Sequence, residues 1–295
     1  MSQVTRKENN RTVGVDMTTG NPTRLIIYFA LPLLAGNILQ QLYNMVDSMV
    51  VGNFAANGTA ALAAVGTAFP VIFMITSLFN GVAQGATILI SQYYGANDMR
   101  GVKRAVDTIY IFLFVVSIPI TIIGVLISRP ILIFMKTPSE TLPMAVTYMR
   151  IIFLGILASF GYNINSGILQ GLGDSKRPLL FLAISTVINI VLDLVFVIVF
   201  HWDVAGVAWA TIIAQLFSFL FGVRYLNKRG DIFTLSIRDL EFDSYILKEA
   251  IRIGIPTGIQ NLLFSIASVA LQGLINSYGS VFMAGFNGAN KIDAF

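Results

Sequence analysis

The stretch from Leu25 to Asn97 contains one residue with a formal charge at neutral pH, Asp47. A run this long and this apolar accommodates two membrane helices, because about 20 apolar residues are enough to cross a bilayer. An ionisable side chain at membrane depth is costly, and by default it marks a functional site. Asp47 is therefore the first candidate functional residue of the chain.

Polar side chains surround Asp47 at helical spacing within the first predicted span, residues 25–52. Steps of three and four residues place them on one face of the helix, with leucine, valine and methionine elsewhere. They are Asn37, Gln40, Gln41, Asn44, Asp47 and Ser48. We expect this face to line a cavity, with Gln40 and Asn44 among the substrate-contacting residues. Pro32 lies upstream in the same helix, removes one backbone hydrogen bond and predicts a bend there.

The composition predicts an all-α polytopic membrane protein. Of its 295 residues, 56% are hydrophobic and 12% are charged, about half the charged fraction of a typical soluble domain. The apolar runs are too long for barrel strands, which need about 9 to 11 residues. The chain has no cysteine and one histidine, which excludes disulfides and thiolate metal sites and disfavours an intramembrane enzyme. We expect no cofactor and no metal site built from cysteine or histidine.

Polar turns divide the sequence into seven predicted spans and the start of an eighth. The predicted spans are residues 25–52, 60–91, 105–127, 144–169, 179–200, 207–226 and 254–278, and the eighth opens at Val281. This pattern predicts a tail over 1–24, a six-helix lobe over 25–226, a linker over 227–253 and the start of a second lobe over 254–295. The end of the linker has the pattern of an amphipathic helix lying at the membrane interface.

The distribution of basic residues predicts the orientation in the membrane. Fifteen of the 19 Lys and Arg lie in the tail, in the second and fourth turns and in the linker, which all fall on one side; the other side receives only Arg129 and Lys136. Because cytoplasmic loops carry an excess of basic residues, the tail and the linker are predicted to be cytoplasmic, in a multi-pass plasma-membrane protein. The net charge of +4 then reflects contact with anionic lipid, and we expect no nucleic-acid partner.

An internal repeat relates the first span to the seventh. Pro32 and Asn37 recur as Pro256 and Asn261, each pair separated by the same offset of 224 residues. Both prolines lie early in an apolar span with Asn, Gln and Ser on one face, so Pro256 is predicted to bend its helix as Pro32 does. Duplicated halves are common among transporters, with the site between them. We expect a truncated second lobe, because the chain stops within span eight.

Further candidate residues lie on the other spans. We expect Asn80 and Gln84 in span two and Asn163 in span four to line the same cavity as the first-span face. Asn189 and Asp193 lie four residues apart on span five and therefore share a face. Each of these polar residues could instead bind a neighbouring helix, because Asn, Gln and Ser form hydrogen bonds between membrane helices.

Several motifs resemble those of multidrug and toxic compound extrusion (MATE) transporters. They are residues 30–32 (Ala-Leu-Pro), 43–47 (Tyr-Asn-Met-Val-Asp) with 51–52 (Val-Gly), 167–178 (Gly-Ile-Leu-Gln-Gly-Leu-Gly-Asp-Ser-Lys-Arg-Pro), 187–193 (Val-Ile-Asn-Ile-Val-Leu-Asp) and 204–211 (Val-Ala-Gly-Val-Ala-Trp-Ala-Thr). The resemblance implies two six-helix lobes around a central cavity. Gln170 departs from the family pattern, which often has Arg there. The lack of a carboxylate in residues 257–277 favours the DinF-like branch.

The resemblance also implies a cation site in the first lobe. Its ligands are expected to be Asp47, Asn189, Asp193 and Thr211, although Thr211 could instead bond a carbonyl of its own helix. Oxygen ligands alone suit a proton or a hard ion such as Na⁺, and do not suit zinc or copper. The implied function is H⁺- or Na⁺-coupled export of amphipathic, mostly cationic drugs by a protein that is monomeric when full length.

A lipid-linked oligosaccharide flippase of the same superfamily is the alternative function. A pyrophosphate substrate calls for arginines inside the cavity, since Arg binds phosphate through paired hydrogen bonds. Predicted spans one, two, five and six have no arginine deep in the membrane, which favours the exporter. An ion channel is disfavoured, because the sequence has no evident filter segment or acidic ring.

Overall fold

The computed structural model describes residues 20–228 and 240–293, and all regular secondary structure in those two ranges is helical. The helices are α1 (Pro22–Phe54), α2 (Gly58–Gly95), α3 (Met99–Phe134), α4 (Leu142–Leu154), α5 (Ile156–Gly171), α6 (Lys176–Leu194), α7 (Asp203–Lys228), α8 (Ser244–Asn276) and α9 (Ser280–Asp293). The all-α prediction is confirmed for this part of the chain. Most of the predicted tail (1–19) and part of the predicted linker (229–239) lie outside the described residues.

The helices reproduce the predicted number of spans. Six are long and apolar enough to cross a membrane: α1, α2, α3, α6 together with its helical extension Val195–Val199, α7 and α8. The bent pair α4 and α5 supplies a seventh when counted together. The predicted eighth stretch corresponds to α9, which begins at Ser280.

Span four, predicted as one helix over 144–169, is broken at Gly155. Helices α4 and α5 meet there at an angle of 54°. A Cβ atom on Gly155 would lie 2.3 Å from Ile212 Cγ1 of α7, so α7 packs where only glycine leaves room. The prediction of one continuous helix was therefore wrong. The bend depends on a contact with α7, which lies far away in the sequence and leaves no local signal.

The predicted interfacial helix at the end of the linker and the seventh span are one helix. Helix α8 runs unbroken from Ser244 to Asn276, so the predicted boundary at 253/254 falls within it. Asp243 caps this helix by accepting hydrogen bonds from Tyr245 N and Ile246 N. Ile246 and Ala250 are buried in the main hydrophobic core, so this segment packs on protein instead of lying alone at the membrane surface.

The two ends of the helix bundle differ in their content of basic residues. The basic end carries the start of α1, the α2–α3 turn, the α5–α6 turn and residues 240–243. The opposite end carries the α1–α2, α3–α4, α6–α7 and α8–α9 turns. These positions follow from the alternating direction of successive spans. The basic end is the one predicted to face the cytoplasm.

Helix α2 packs along α8, the helix that opens the predicted second lobe. Gly81 and Gly85 of α2 face Gly254 and Gly258 of α8. A Cβ on Gly254 would lie 2.1 Å from Gly81 O, and one on Gly85 would lie 2.2 Å from Ala250 O. Small residues let membrane helices approach this closely and pack through their backbones. We call this contact the glycine crossing.

Candidate functional site: a buried acid pair between two helices

Two buried carboxylates, 146 positions apart in the sequence, meet between α1 and α6. Asp47 of α1 is 9% exposed, and Asn189 and Asp193 of α6 are fully buried. Asn189 and Asp193 lie one turn apart on α6, so both point toward α1. The structure thus brings three of the four predicted cation ligands into contact.

The amide of Asn189 joins the two acids. With its nitrogen facing the carboxylates, Asn189 donates hydrogen bonds to Asp47 Oδ1 (2.8 Å) and Asp193 Oδ2 (3.3 Å). Asp193 Oδ1 is buried and has no hydrogen-bond partner among the described residues. A buried carboxylate oxygen without a donor is costly, so this atom is open to a proton or a cation.

The fourth predicted ligand, Thr211 of α7, lies at the edge of the pair. Its hydroxyl accepts a hydrogen bond of 3.1 Å from the hydroxyl of Tyr43, which lies one turn before Asp47 on α1. Tyr148 of α4 lies close enough to interact electrostatically with both Asp47 and Asp193. Neither Tyr43 nor Tyr148 was predicted from the sequence to be a site residue. The helical step from Asp47 could have indicated Tyr43, whereas Tyr148 has no sequence signal.

The end of α6 departs from regular helix directly after the acid pair. Residues Val195–Val199 form a π-helical turn, a feature that is frequent at functional sites. Beyond it, His201 and Asp203 have positive φ angles of 54° and 47°. Asp203 Oδ1 then accepts a hydrogen bond of 2.8 Å from Ala56 N. The α6–α7 turn is thereby tied to the α1–α2 turn, which holds α1 and α6 together beside the acids.

The predicted cavity residues are not part of this cluster. Gln40, Asn44 and Asn80 are half-buried, and Gln84 and Asn163 are exposed on their helices. Asn165, two positions from Asn163, is a buried asparagine and donates to Phe219 O. The role of the five residues in substrate binding therefore stays a prediction.

The two predicted helix-bending prolines lie inside unbroken helices. Pro32 is half-buried in α1, and Pro256 is exposed in α8 between the two glycines of the crossing. Each removes one backbone hydrogen bond from its helix. Whether either helix bends during function stays a prediction.

The oxygen atoms of the cluster define its chemistry. The carboxylates of Asp47 and Asp193 provide hard oxygen ligands, which suit a proton or an alkali ion, whereas Asn189 presents its nitrogen to them as a donor. Within residues 20–228 and 240–293, no group of three or more His, Cys, Asp and Glu is placed to hold a metal ion. The binding of a proton or an alkali ion by this cluster stays a prediction.

Comparison with known proteins places the chain in a family. The family model described as MatE matches residues 32–195, more than half of the chain. A protein of Bacillus subtilis (strain 168) named "Probable multidrug resistance protein YpnP" is 34% identical over 282 residues, which cover 95% of this chain and 62% of the relative. The chain thus spans about 60% of the length of this curated relative.

Solved structures of MATE family transporters resemble most of the chain. One, titled as the inward-facing conformation of a multidrug resistance MATE family transporter of the MOP superfamily, aligns with a TM-score of 0.78 at 29% identity, covering 86% of this chain and 57% of that one. The outward-facing conformation of such a transporter aligns with a TM-score of 0.77 at 26% identity, covering 93% and 67%. The chain is therefore a multi-pass membrane protein and belongs to the MATE family.

Proposed function

We propose that the protein exports amphipathic, mostly cationic compounds in exchange for H⁺ or Na⁺, with Asp47 and Asp193 holding the coupling ion. The observation that carries this proposal is the bridge from Asn189 to both carboxylates, beside a buried Asp193 oxygen that lacks a donor. The related proteins named for multidrug resistance support the transport function.

Electrostatic repulsion between the two carboxylates provides the force for a conformational change. Two carboxylates joined through one amide are stable together when a proton or a cation neutralises part of their charge. When that ion leaves, the pair repels across the contact between α1 and α6. Pro32 weakens the backbone of α1 upstream of Asp47, so α1 is the helix that can move. Exchange then requires only that ion and drug favour different conformations.

The buried charges support a cationic substrate over the alternative of a lipid-linked oligosaccharide flippase. Among the described residues, every buried charged side chain is an acid: Asp47, Asp107, Asp174 and Asp193. A site for a pyrophosphate anion needs buried cations in place of these carboxylates. The cavity residues of this transporter are proposed to include Gln40, Asn44, Asn80, Gln84 and Asn163.

Location and assembly complete the proposal. We place the protein in the plasma membrane with its basic end in the cytoplasm, because basic residues concentrate there. The working form is proposed to be a monomer without a cofactor.

Exchange in proteoliposomes tests the proposal. The protein as its host cell produces it is reconstituted into liposomes together with a fluorescent organic cation. Either a pH gradient or a Na⁺ gradient is then imposed across the membrane. Asp47→Asn and Asp193→Asn should abolish gradient-driven dye movement. Asp174→Asn is the matched control, because this buried acid lies at the α5–α6 turn, where it accepts hydrogen bonds from Lys176 N and Arg177 N. Undiminished uphill transport by Asp47→Asn would refute the coupling site.

A further inference from the structure

An ionic contact fastens the start of α8 to α3 at the basic end. Asp243 Oδ2 accepts from Arg104 Nη1 (3.1 Å), and Asp243 N donates to Thr108 Oγ1 (3.0 Å). Asp107 is buried, pairs with Lys103 at 2.8 Å and accepts from Glu241 N. Residues 240–243, which join the predicted lobes, are thereby held on the second and third turns of α3. We call this contact the ionic latch.

A neutral contact fastens the other end of α8, at the opposite end of the bundle. Asn276 Nδ2 donates to Met135 O (3.0 Å) and Thr137 Oγ1 (3.4 Å), and Gln272 Nε2 donates to Asn276 Oδ1 (3.0 Å) and Thr67 Oγ1 (3.3 Å). All four side chains, those of Thr67, Thr137, Gln272 and Asn276, are buried. They join α8 to α2 and to the α3–α4 turn through uncharged groups. We call this contact the amide latch.

The glycine crossing lies between the two latches. At 1.5 Å per residue, Pro256 is roughly 20 Å from Asp243 and roughly 30 Å from Asn276 along the helix. Pro256 cannot donate a backbone hydrogen bond, so α8 is weakest in the segment where it rests on α2. One end of α8 can therefore swing away from the first lobe while the other end stays fastened.

We propose that the ionic latch and the amide latch are alternative gates, and that opening either side of the transporter breaks the latch at that end. This inference rests on the alternation between two conformations in the proposed function, and it does not depend on the cation site. The chemistry of the gates differs. Salt screens a partly exposed ion pair, whereas a buried network of neutral groups is nearly insensitive to it. High salt should therefore open the basic end selectively.

Distances between paired spin labels test the proposal. The chain has no cysteine, so labels attach only where cysteine is introduced. One pair, Arg100→Cys with Lys248→Cys, reports on the basic end, and Ser139→Cys with Tyr278→Cys reports on the opposite end. All four positions are exposed. The measurement needs neither substrate nor an ion gradient.

Two substitutions break the ionic latch and leave the helices intact. Asp243→Asn removes the charge but keeps a good helix cap, because Asn caps as well as Asp. Asp243→Asn and Arg104→Gln should each raise the long-distance population at the basic end about two- to five-fold, as expected for the loss of one exposed ion pair. A higher salt concentration should also raise the long-distance population at the basic end of the unaltered protein. It should raise this population little further in either variant.

A matched control removes a charge from the same helix. Arg252 is 79% exposed, and its Nη1 lies 3.6 Å from Oε1 of Glu249 in the same helix. Arg252→Gln should therefore leave both label distances unchanged. Asn276→Ala should widen the opposite end at every salt concentration. Unchanged basic-end distances in both Asp243→Asn and Arg104→Gln would overturn the gate, and so would an equal effect of salt at both ends. Neither result bears on the coupling site, which the dye-exchange assay tests separately.

Discussion

Asp47 and Asp193 are joined through one amide nitrogen, which lies 2.8 Å from an oxygen of the first and 3.3 Å from an oxygen of the second. The amide comes from Asn189, one helical turn before Asp193. A neutral donor can bridge two acids without cancelling their charge. The pair therefore keeps its need for a proton or a cation while its geometry is held.

Removal of the bridging amide tests its share in ion binding. Asn189→Ala should lower the ion concentration that gives half-maximal dye exchange by about tenfold or more, because the amide's hydrogen bonds stabilise the charged, ion-free carboxylates and contribute about 1.5–3 kcal/mol each. Asn53→Ala is the control and should change this concentration far less, because Asn53 is exposed at the end of α1 and donates to Met49 O of its own helix. An equal change in both variants would show that the effect is not local to the acid pair.

The hydrogen bond from Tyr43 to Thr211 should stabilise the contact between α1 and α7. Tyr43→Phe and Thr211→Val each remove the same bond and should each cost about 0.6 kcal/mol of stability, the mean for such bonds between membrane helices. Thermal unfolding in detergent measures this loss. The double variant should lose less than the sum of the single losses, and strict additivity would argue against the bond.

The glycine crossing should not tolerate a methyl group. Gly85→Ala places a Cβ 2.2 Å from Ala250 O, so α2 and α8 must separate, at a cost of about 1–3 kcal/mol. Gly95→Ala, in the same helix with nothing within 4 Å of its Cβ, serves as the control. Denaturant titration of both variants compares them. Equal stability would mean that the two backbones are not in contact.

The bend between α4 and α5 should depend on one pair of residues. Gly155→Ala should destabilise the protein, because the added Cβ meets the side chain of Ile212. Ile212→Ala alone should cost about 2–5 kcal/mol as a core truncation. In the double variant, the shortened side chain at position 212 makes room for the added methyl group. The combined loss of stability should therefore be smaller than the sum of the two single losses. The melting temperatures of the four proteins provide the comparison.

Local properties of the sequence were enough to predict the helical class, the number of spans and the two acids. Long apolar runs have few alternatives to a membrane helix, and the cost of a charge at membrane depth singles out Asp47 wherever the helix packs. The pairing of Asn189 with Asp193 also follows from the helical step alone. These conclusions needed no knowledge of which helices are neighbours.

Contacts between distant helices decided the rest. The approach of Asp47 to Asp193, the break at Gly155 under Ile212 and the attachment of Asp243 to Arg104 each join parts of the chain far apart in sequence. Spacing along one helix says which residues share a face, but only the packed bundle says what that face meets. The acid pair therefore became a site only when α1 packed on α6.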